Sequence, residues 1–294
     1  MFINLYIKKD FIYKISITFL SLILTGTLCI FAISNIPKEN HQKEESIKLP
    51  ILMYHGLIKN SKKQNKFMID PKLFESDLKY IKEHNITTIF VKDLIDYVEG
   101  SAELPENCII ITFDDGYYNN YLYAYSLAKE YNSKIIISPI GKCLDEYSKI
   151  DDKHENYSYL TWSELDEMVK SGLVEVQNHS YDMHSKGKNY IGCKKKKNES
   201  LEKYKERFEK DIQKQQDLIT KYTGTTPLAF AYPFGAFSDE TPGILKEMGF
   251  KATFFCYNKI NNITRNPECL NGLCRFIRPN NISTNDFFSK IYKN

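Results

Sequence analysis

The chain has 294 residues, 42% of them hydrophobic and 14% aromatic, which suffices for one sizeable core and excludes an intrinsically disordered polypeptide. Its 40 basic and 37 acidic residues leave a net charge of +3, and only four of the basic residues are arginine. That balance is too even for the electrostatic footprint of a nucleic-acid binder, so no nucleic-acid partner is expected.

Residues 1–14 carry Lys8, Lys9 and Lys14, and from Ile15 to Ile36 no charge appears. Such a run spans the roughly 30 Å hydrocarbon core of a bilayer as a helix, and the basic residues ahead of it put the N-terminus in the cytoplasm. The expectation is an uncleaved transmembrane signal-anchor over 15–36. A cleaved signal peptide is the rival, but the run exceeds the usual h-region of roughly 7–15 residues and no small-x-small cleavage site follows. Residues 37–48 are polar and read as a stalk, and 49–294 as one domain. This topology implies a single-pass protein of the cell membrane with its domain outside, where disulfides are permitted. Cys269 and Cys274 flank a short loop and are the expected local pair.

From Pro50 onward, short β-branched runs alternate with helical patterns. Strands are expected at Pro50–Tyr54, Thr87–Val91, Cys108–Phe113, Lys134–Ser138, Val174–Gln177, Leu228–Tyr232 and Ala252–Phe255. Asp70-Pro71 reads as an N-cap followed by proline at the first helical position, with Phe74, Leu78 and Ile81 on one face. Further helices are expected at Lys92–Glu99, Asn120–Tyr131, Ser163–Ser171, Glu199–Tyr222 and Asp239–Met248. The alternation predicts an α/β fold around a parallel sheet, and about seven such units favour a barrel-like closure. Lys194–Lys197 reads as a solvated loop, with contact to an anionic wall polymer as the lesser alternative.

In a parallel βα architecture, sites gather at the carboxyl ends of strands. The run Cys108–Phe113 leads into Asp114-Asp115-Gly116, whose neighbouring carboxylates diverge, so one can ligate a cation while the other faces a water. Val174–Gln177 leads into Asn178-His179-Ser180-Tyr181-Asp182-Met183-His184, a loop on which two histidines can converge. Asp115, His179 and His184 supply the three protein ligands of an open catalytic site for a borderline divalent cation, Zn²⁺ first, with Co²⁺, Ni²⁺ or Mn²⁺ as alternatives. After Leu228–Tyr232 comes Pro233-Phe234-Gly235, whose backbone amide can stabilise an oxyanion. His55, in Tyr54-His55-Gly56, is a candidate proton donor because the ordinary imidazole pKa near 6.5 suits acid/base work.

Thr112-Phe113-Asp114-Asp115-Gly116 resembles the first motif of the polysaccharide deacetylases (NodB homology, carbohydrate esterase family 4), and His179-Ser180-Tyr181-Asp182-Met183-His184 is similar to their metal motif. The resemblance implies a distorted (β/α)7 barrel of NodB type and metal-dependent removal of acetyl groups from N- or O-acetylated sugars. It implies Asp114 as general base, Asp115, His179 and His184 as metal ligands and the amide of Phe234 as oxyanion donor. No histidine follows His184, so the family's C-terminal acid is missing. Leu52-Met53-Tyr54-His55 fits the circularly permuted branch that resembles the biofilm poly-N-acetylglucosamine deacetylases, which implies His55 as the acid. Ala229-Phe230 stand where the family carries an Asp-Trp motif, the arginine ahead of the third motif is absent, and Arg275 is the candidate to replace it. The expected partner is an acetylated polysaccharide of wall or capsule met by a monomer, with Tyr181 and Tyr232 among the aromatics available to stack on sugar rings. Peptidoglycan deacetylation, O-deacetylation of xylan-type polymers and non-catalytic glycan binding are the alternatives.

Overall fold

The computed structural model describes residues 46–150, 152–188 and 190–293. The proposed membrane segment, and the stalk up to residue 45, lie outside them. Among the described residues no helix is long and apolar enough to cross a membrane.

Seven parallel strands form a ring: β1 (Ile51–Tyr54), β2 (Cys108–Asp115), β3 (Ile135–Pro139), β4 (Val174–Val176), β5 (Ala229–Ala231), β6 (Ala252–Phe254) and β7 (Phe276–Ile277). Five of them make a continuous hydrogen-bonded strip in the order β7-β1-β2-β3-β4, and β5 pairs with β6. Register sets Leu52 opposite Ile111, Thr112 opposite Ile136 and Ile137 opposite Val176. The ring closes at two seams of one parallel bridge each, Asn178 with Phe230 and Phe254 with Leu273.

The isoleucine runs explain why these strands lie inside. Side chains alternate across a strand, so Ile109 and Ile111 of β2 and Ile135 and Ile137 of β3 join the cluster that includes Phe74, Leu78 and Leu165 from the surrounding helices. Ile110 and Ile136 face the other way and pack with Ala229, Ala231, Ala252 and Phe254 in a second cluster. Both faces are covered, which is why no polar alternation is visible in the sequence. A third cluster joins Phe230 and Tyr232 to Tyr204, Phe208 and Ile212.

Around the ring lie α1 (Pro71–Glu83), α2 (Val91–Val98), α3 (Ser126–Tyr131), α4 (Gly141–Ile150), α5 (Trp162–Lys170), α6 (Leu201–Thr223), α7 (Thr241–Glu247) and α8 (Thr284–Ile291). In α1 the Asp70 side chain accepts from the Lys72 amide, and Phe74, Leu78 and Ile81 are buried as their spacing requires. Each such side chain contributes about 1.5–3 kcal/mol on burial.

Several expectations are corrected. The strand expected at Thr87–Val91 pairs only at Thr87–Thr88, because Phe90 becomes the N-cap of α2 with its amide donating to Asp93. The helix expected from Asn120 opens as a π-helical turn, Asn120–Tyr125, before α3. The fold also begins inside the expected stalk, since Ile47–Leu49 pairs antiparallel with Asn261–Ile263. The Cys269–Cys274 bond is not formed: the Cys269 thiol donates to the Thr264 carbonyl and the Cys274 thiol to that of Gly272, in separate directions. α4, β7, α8 and the hairpin pairing Lys186–Gly187 with Tyr190–Ile191 have no counterpart among the expected elements.

A buried ion pair ties the last segment to α1. Arg278 donates to both oxygens of Asp77 at 2.6 and 3.0 Å, and Tyr54 and Thr284 hydroxyls complete the Asp77 shell.

Candidate active site

The carboxyl ends of β1, β2, β4 and β5 meet at a cleft of about 550 Å³ whose lining includes His55, Asp114, Asp115, His179, His184 and Phe234. Both aspartates belong to β2, which runs two residues further than its apolar pattern suggests. The chain then turns at Gly116, where φ is +75° and an added Cβ would lie 2.6 Å from the Pro139 side chain. Only glycine fits that approach.

Asp114 is 2% exposed and its two oxygens each accept from Arg275, Nη1 to Oδ1 and Nη2 to Oδ2, both at 2.7 Å. Arg275 is fully buried and also donates to Thr112 Oγ1 and the Phe255 carbonyl. Burial by itself would raise the Asp114 carboxyl; the guanidinium overcomes it, and the group is held ionised below the usual range. Arg275, named above as a candidate, thus reaches the site from just ahead of β7 and clamps Asp114.

Asp115, His179 and His184 each present one ligand atom, all within 4.8 Å of one another. His179 Nε2 lies 3.5 Å and His184 Nε2 3.3 Å from Asp115 Oδ1, a buried oxygen with no hydrogen-bond partner among the described residues. His179 Nδ1 sits 2.7 Å from the Ala231 carbonyl, which assigns its proton to Nδ1 and turns the Nε2 lone pair towards the carboxylate. An oxygen without a donor facing two imidazole nitrogens is the donor set a divalent cation takes, and the residues fit one. Burial and the neighbouring His179 push His184 down to about 4, leaving it neutral as a ligand must be. Burial opposes the charged form of His179 too, yet the Asp115 carboxylate raises it, so a proton and a cation compete for the same space.

His55 faces the aspartates, with its Nδ1 buried and unpartnered among the described residues and its ring 4.7 Å from Phe67. Burial lowers its pKa despite the pull of Asp114 and Asp115, so the ordinary value near 6.5 is not kept. Phe234 has φ +58° and its ring stands 4.3 Å from that of His184. Of six non-glycine residues with positive φ among the described residues, Asp115, Ser180 and Phe234 all belong to this region, and for bulky Phe234 the conformation is strained.

The two tyrosines fare differently from expectation. Tyr232 lines the cleft but is fully buried, so it has no exposed face for a sugar. Tyr181 leaves the cleft altogether; its hydroxyl donates to Asp145 and the Lys214 ammonium stands 3.4 Å from its ring centroid. Lys66, Phe67, Cys256 and Asn258 also line the cleft, unforeseen because no local motif marks them.

Comparison with known proteins gives the family and the fold. The model of the polysaccharide deacetylase family matches residues 101–253. A poly-beta-1,6-N-acetyl-D-glucosamine N-deacetylase of Staphylococcus aureus is 27% identical over 199 residues, covering 66% of this chain and 63% of the relative's length. Among solved structures, a de-N-acetylase from Aggregatibacter actinomycetemcomitans superposes with a TM-score of 0.72 at 24% identity, over 83% of this chain and 99% of that one. IcaB from Ammonifex degensii gives 0.67 at 23% identity, over 84% and 96%. These structural likenesses establish the α/β fold. With the family model spanning just over half of the sequence, the chain belongs to the polysaccharide deacetylase family.

Proposed function

We propose that this protein is a metal-dependent hydrolase that removes acetyl groups from N-acetylglucosamine-type units of an extracellular polysaccharide, either poly-N-acetylglucosamine or cell wall. The observation that carries the reading is the meeting, in one cleft, of the Arg275-clamped Asp114, the Asp115–His179–His184 donor set and His55. The family and the name borne by the Staphylococcus aureus relative support it.

A divalent cation held by Asp115, His179 and His184, Zn²⁺ by ligand type, would supply Lewis-acid polarisation of the acetyl carbonyl. Asp114, kept ionised by Arg275, accepts a proton from the attacking water. The Phe234 amide donates to the carbonyl oxygen as negative charge develops on it. His55 donates to the departing sugar amine; burial makes it a stronger acid than free imidazolium, protonated in a smaller fraction of molecules at neutral pH. Placement at the membrane by residues 15–36, with the domain outside, belongs to the same proposal.

The test is acetate release from β-1,6-linked N-acetylglucosamine oligomers, before and after dialysis against a chelator and on adding back Zn²⁺ or Co²⁺. Release should vanish on metal removal, return on readdition, and be lost in Asp114→Asn and His55→Ala with an unchanged circular dichroism spectrum. Wild-type turnover in either variant, or in the chelated protein, would overturn the assignment.

A further inference from the structure

Between Met183 and Asn198 the sequence holds six lysines and no aspartate or glutamate. The segment leaves the site at His184, forms the Lys186–Gly187 and Tyr190–Ile191 hairpin, and returns to the wall of the active-site cleft. Its backbone is pinned there. The Gly192 amide donates to the Ser185 carbonyl, and a Cβ added at Gly192 would lie 2.6 Å from the Pro233 oxygen. The Cys193 thiol donates to the Ala236 carbonyl, the Lys195 amide to Ser238, and Arg207 to the Lys194 carbonyl while pairing with Glu199. A groove of about 500 Å³ opens on this segment, lined by Lys186, Lys188, Lys194, Lys195 and Lys197 with Ile191.

Elsewhere on the surface some lysines are set beside carboxylates, as in Lys79–Glu75, Lys92–Asp96 and Lys170–Asp166, and Lys82 shares its groove with a single further lysine, Lys134, itself paired with Asp93. In the groove, Lys195 pairs with Glu240, whereas Lys186, Lys188, Lys194 and Lys197 have no carboxylate at ion-pair distance among the described residues. Four ammonium groups gathered around one groove repel one another, and a polyanion relieves that repulsion. We infer that this groove is a docking surface for a linear anionic polymer bearing phosphate charges, beside the rim of the active-site cleft. A groove with a single apolar side chain suits a threaded chain better than a bilayer surface, which calls for several inserted apolar groups. The surface goes beyond the deacetylase reading and does not depend on it: it would hold the enzyme on anionic wall material while a neutral glycan enters the cleft.

Binding of the full chain, in non-ionic detergent, to long-chain polyphosphate tests the inference. With four lysine contacts, affinity should fall about fifty-fold between 50 and 200 mM NaCl, by analogy with single-stranded polyanions. Replacing Lys186, Lys188, Lys194 and Lys197 together by serine should remove most of the binding, leaving acetate release from a neutral oligomer unchanged. Serine at Lys79, Lys92, Lys170 and Lys205 should leave binding intact. Absence of binding at 50 mM NaCl, equal losses in the two quadruple variants, or binding confined to phosphatidylglycerol vesicles would each overturn it.

Discussion

Replacing Arg275 by methionine keeps the length of the side chain and removes its charge. Asp114 then remains in a site that is 2% exposed, stripped of two 2.7 Å charge-assisted bonds. Removing one partner of a buried ion pair costs about 3–5 kcal/mol, because the surviving charge is left without compensation. For a domain of this size that corresponds to a melting temperature lower by roughly 6–20 °C. The loss has a pH signature. In the wild type the Asp114 pKa is depressed, so its contribution is present above the ordinary carboxyl value of 3.8 and fades as pH falls through the lower folded value. In Arg275→Met, burial without the guanidinium raises the same group, so acid neutralises the buried charge and the variant recovers relative to wild type as pH falls. Urea unfolding at pH 7 and pH 5 measures both effects. A double-mutant cycle with Asp114→Asn should show the double variant less destabilised than the sum of the singles by about 2 kcal/mol or more. A single-variant cost below about 1 kcal/mol at pH 7, or an additive cycle, would refute the view that Arg275 and Asp114 act as one buried unit.

Gly116→Ala should reduce acetate release by well over tenfold while the protein still folds, because the clash with Pro139 displaces the Asp114-Asp115 turn; kcat and thermal melting read together distinguish this from global unfolding. Arg207 holds the Glu199 carboxyl at about 2, so that contribution to stability is present above the ordinary value of 4.5 and lost as pH falls towards 2. Glu199→Gln is therefore expected to lower the melting temperature at pH 7 and to converge on wild type in acid, as scanning calorimetry over that range would show. Phe74, fully buried against Tyr54 and Phe113, should cost about 3–5 kcal/mol when changed to alanine, measured by chemical denaturation, with no direct effect on the chemistry.

Features written locally in the chain were legible from it. Asp70-Pro71 and the Phe74, Leu78, Ile81 spacing specify α1 through capping and periodicity, and both are properties of neighbouring residues. The two aspartates before Gly116 and the two histidines of one loop could be found because each pair follows an isoleucine- or valine-rich run. β7 could not: it is two residues long, flanked by Arg275 and Arg278, and it exists because Phe276 meets Leu52 across more than two hundred residues. Arg275 is named by the family pattern alone, and Arg278 looks like a surface charge until Asp77 is placed against it. Tyr181 shows the converse error. Two residues after His179 in sequence, it follows Ser180, whose φ of +69° turns the backbone so that the ring leaves the cleft.

The ring resembles a rigid frame with a clasp. The frame is the strip β7-β1-β2-β3-β4, and it carries Arg275, His55, both aspartates and the histidine loop; the clasp is β5-β6, joined through one residue at each seam. Phe234 and Cys256 ride on the clasp. The base, the acid and the metal donor set thereby share the frame, and of the groups assigned to the chemistry Phe234 alone sits on the clasp. Remodelling the loops after β5 and β6 offers a route to new polymer preferences in which the Asp115–His179–His184 set need not be redesigned, provided that the Phe234 turn, the Phe255 carbonyl that accepts from Arg275 and the bond from His179 to the Ala231 carbonyl, which crosses one seam, are kept.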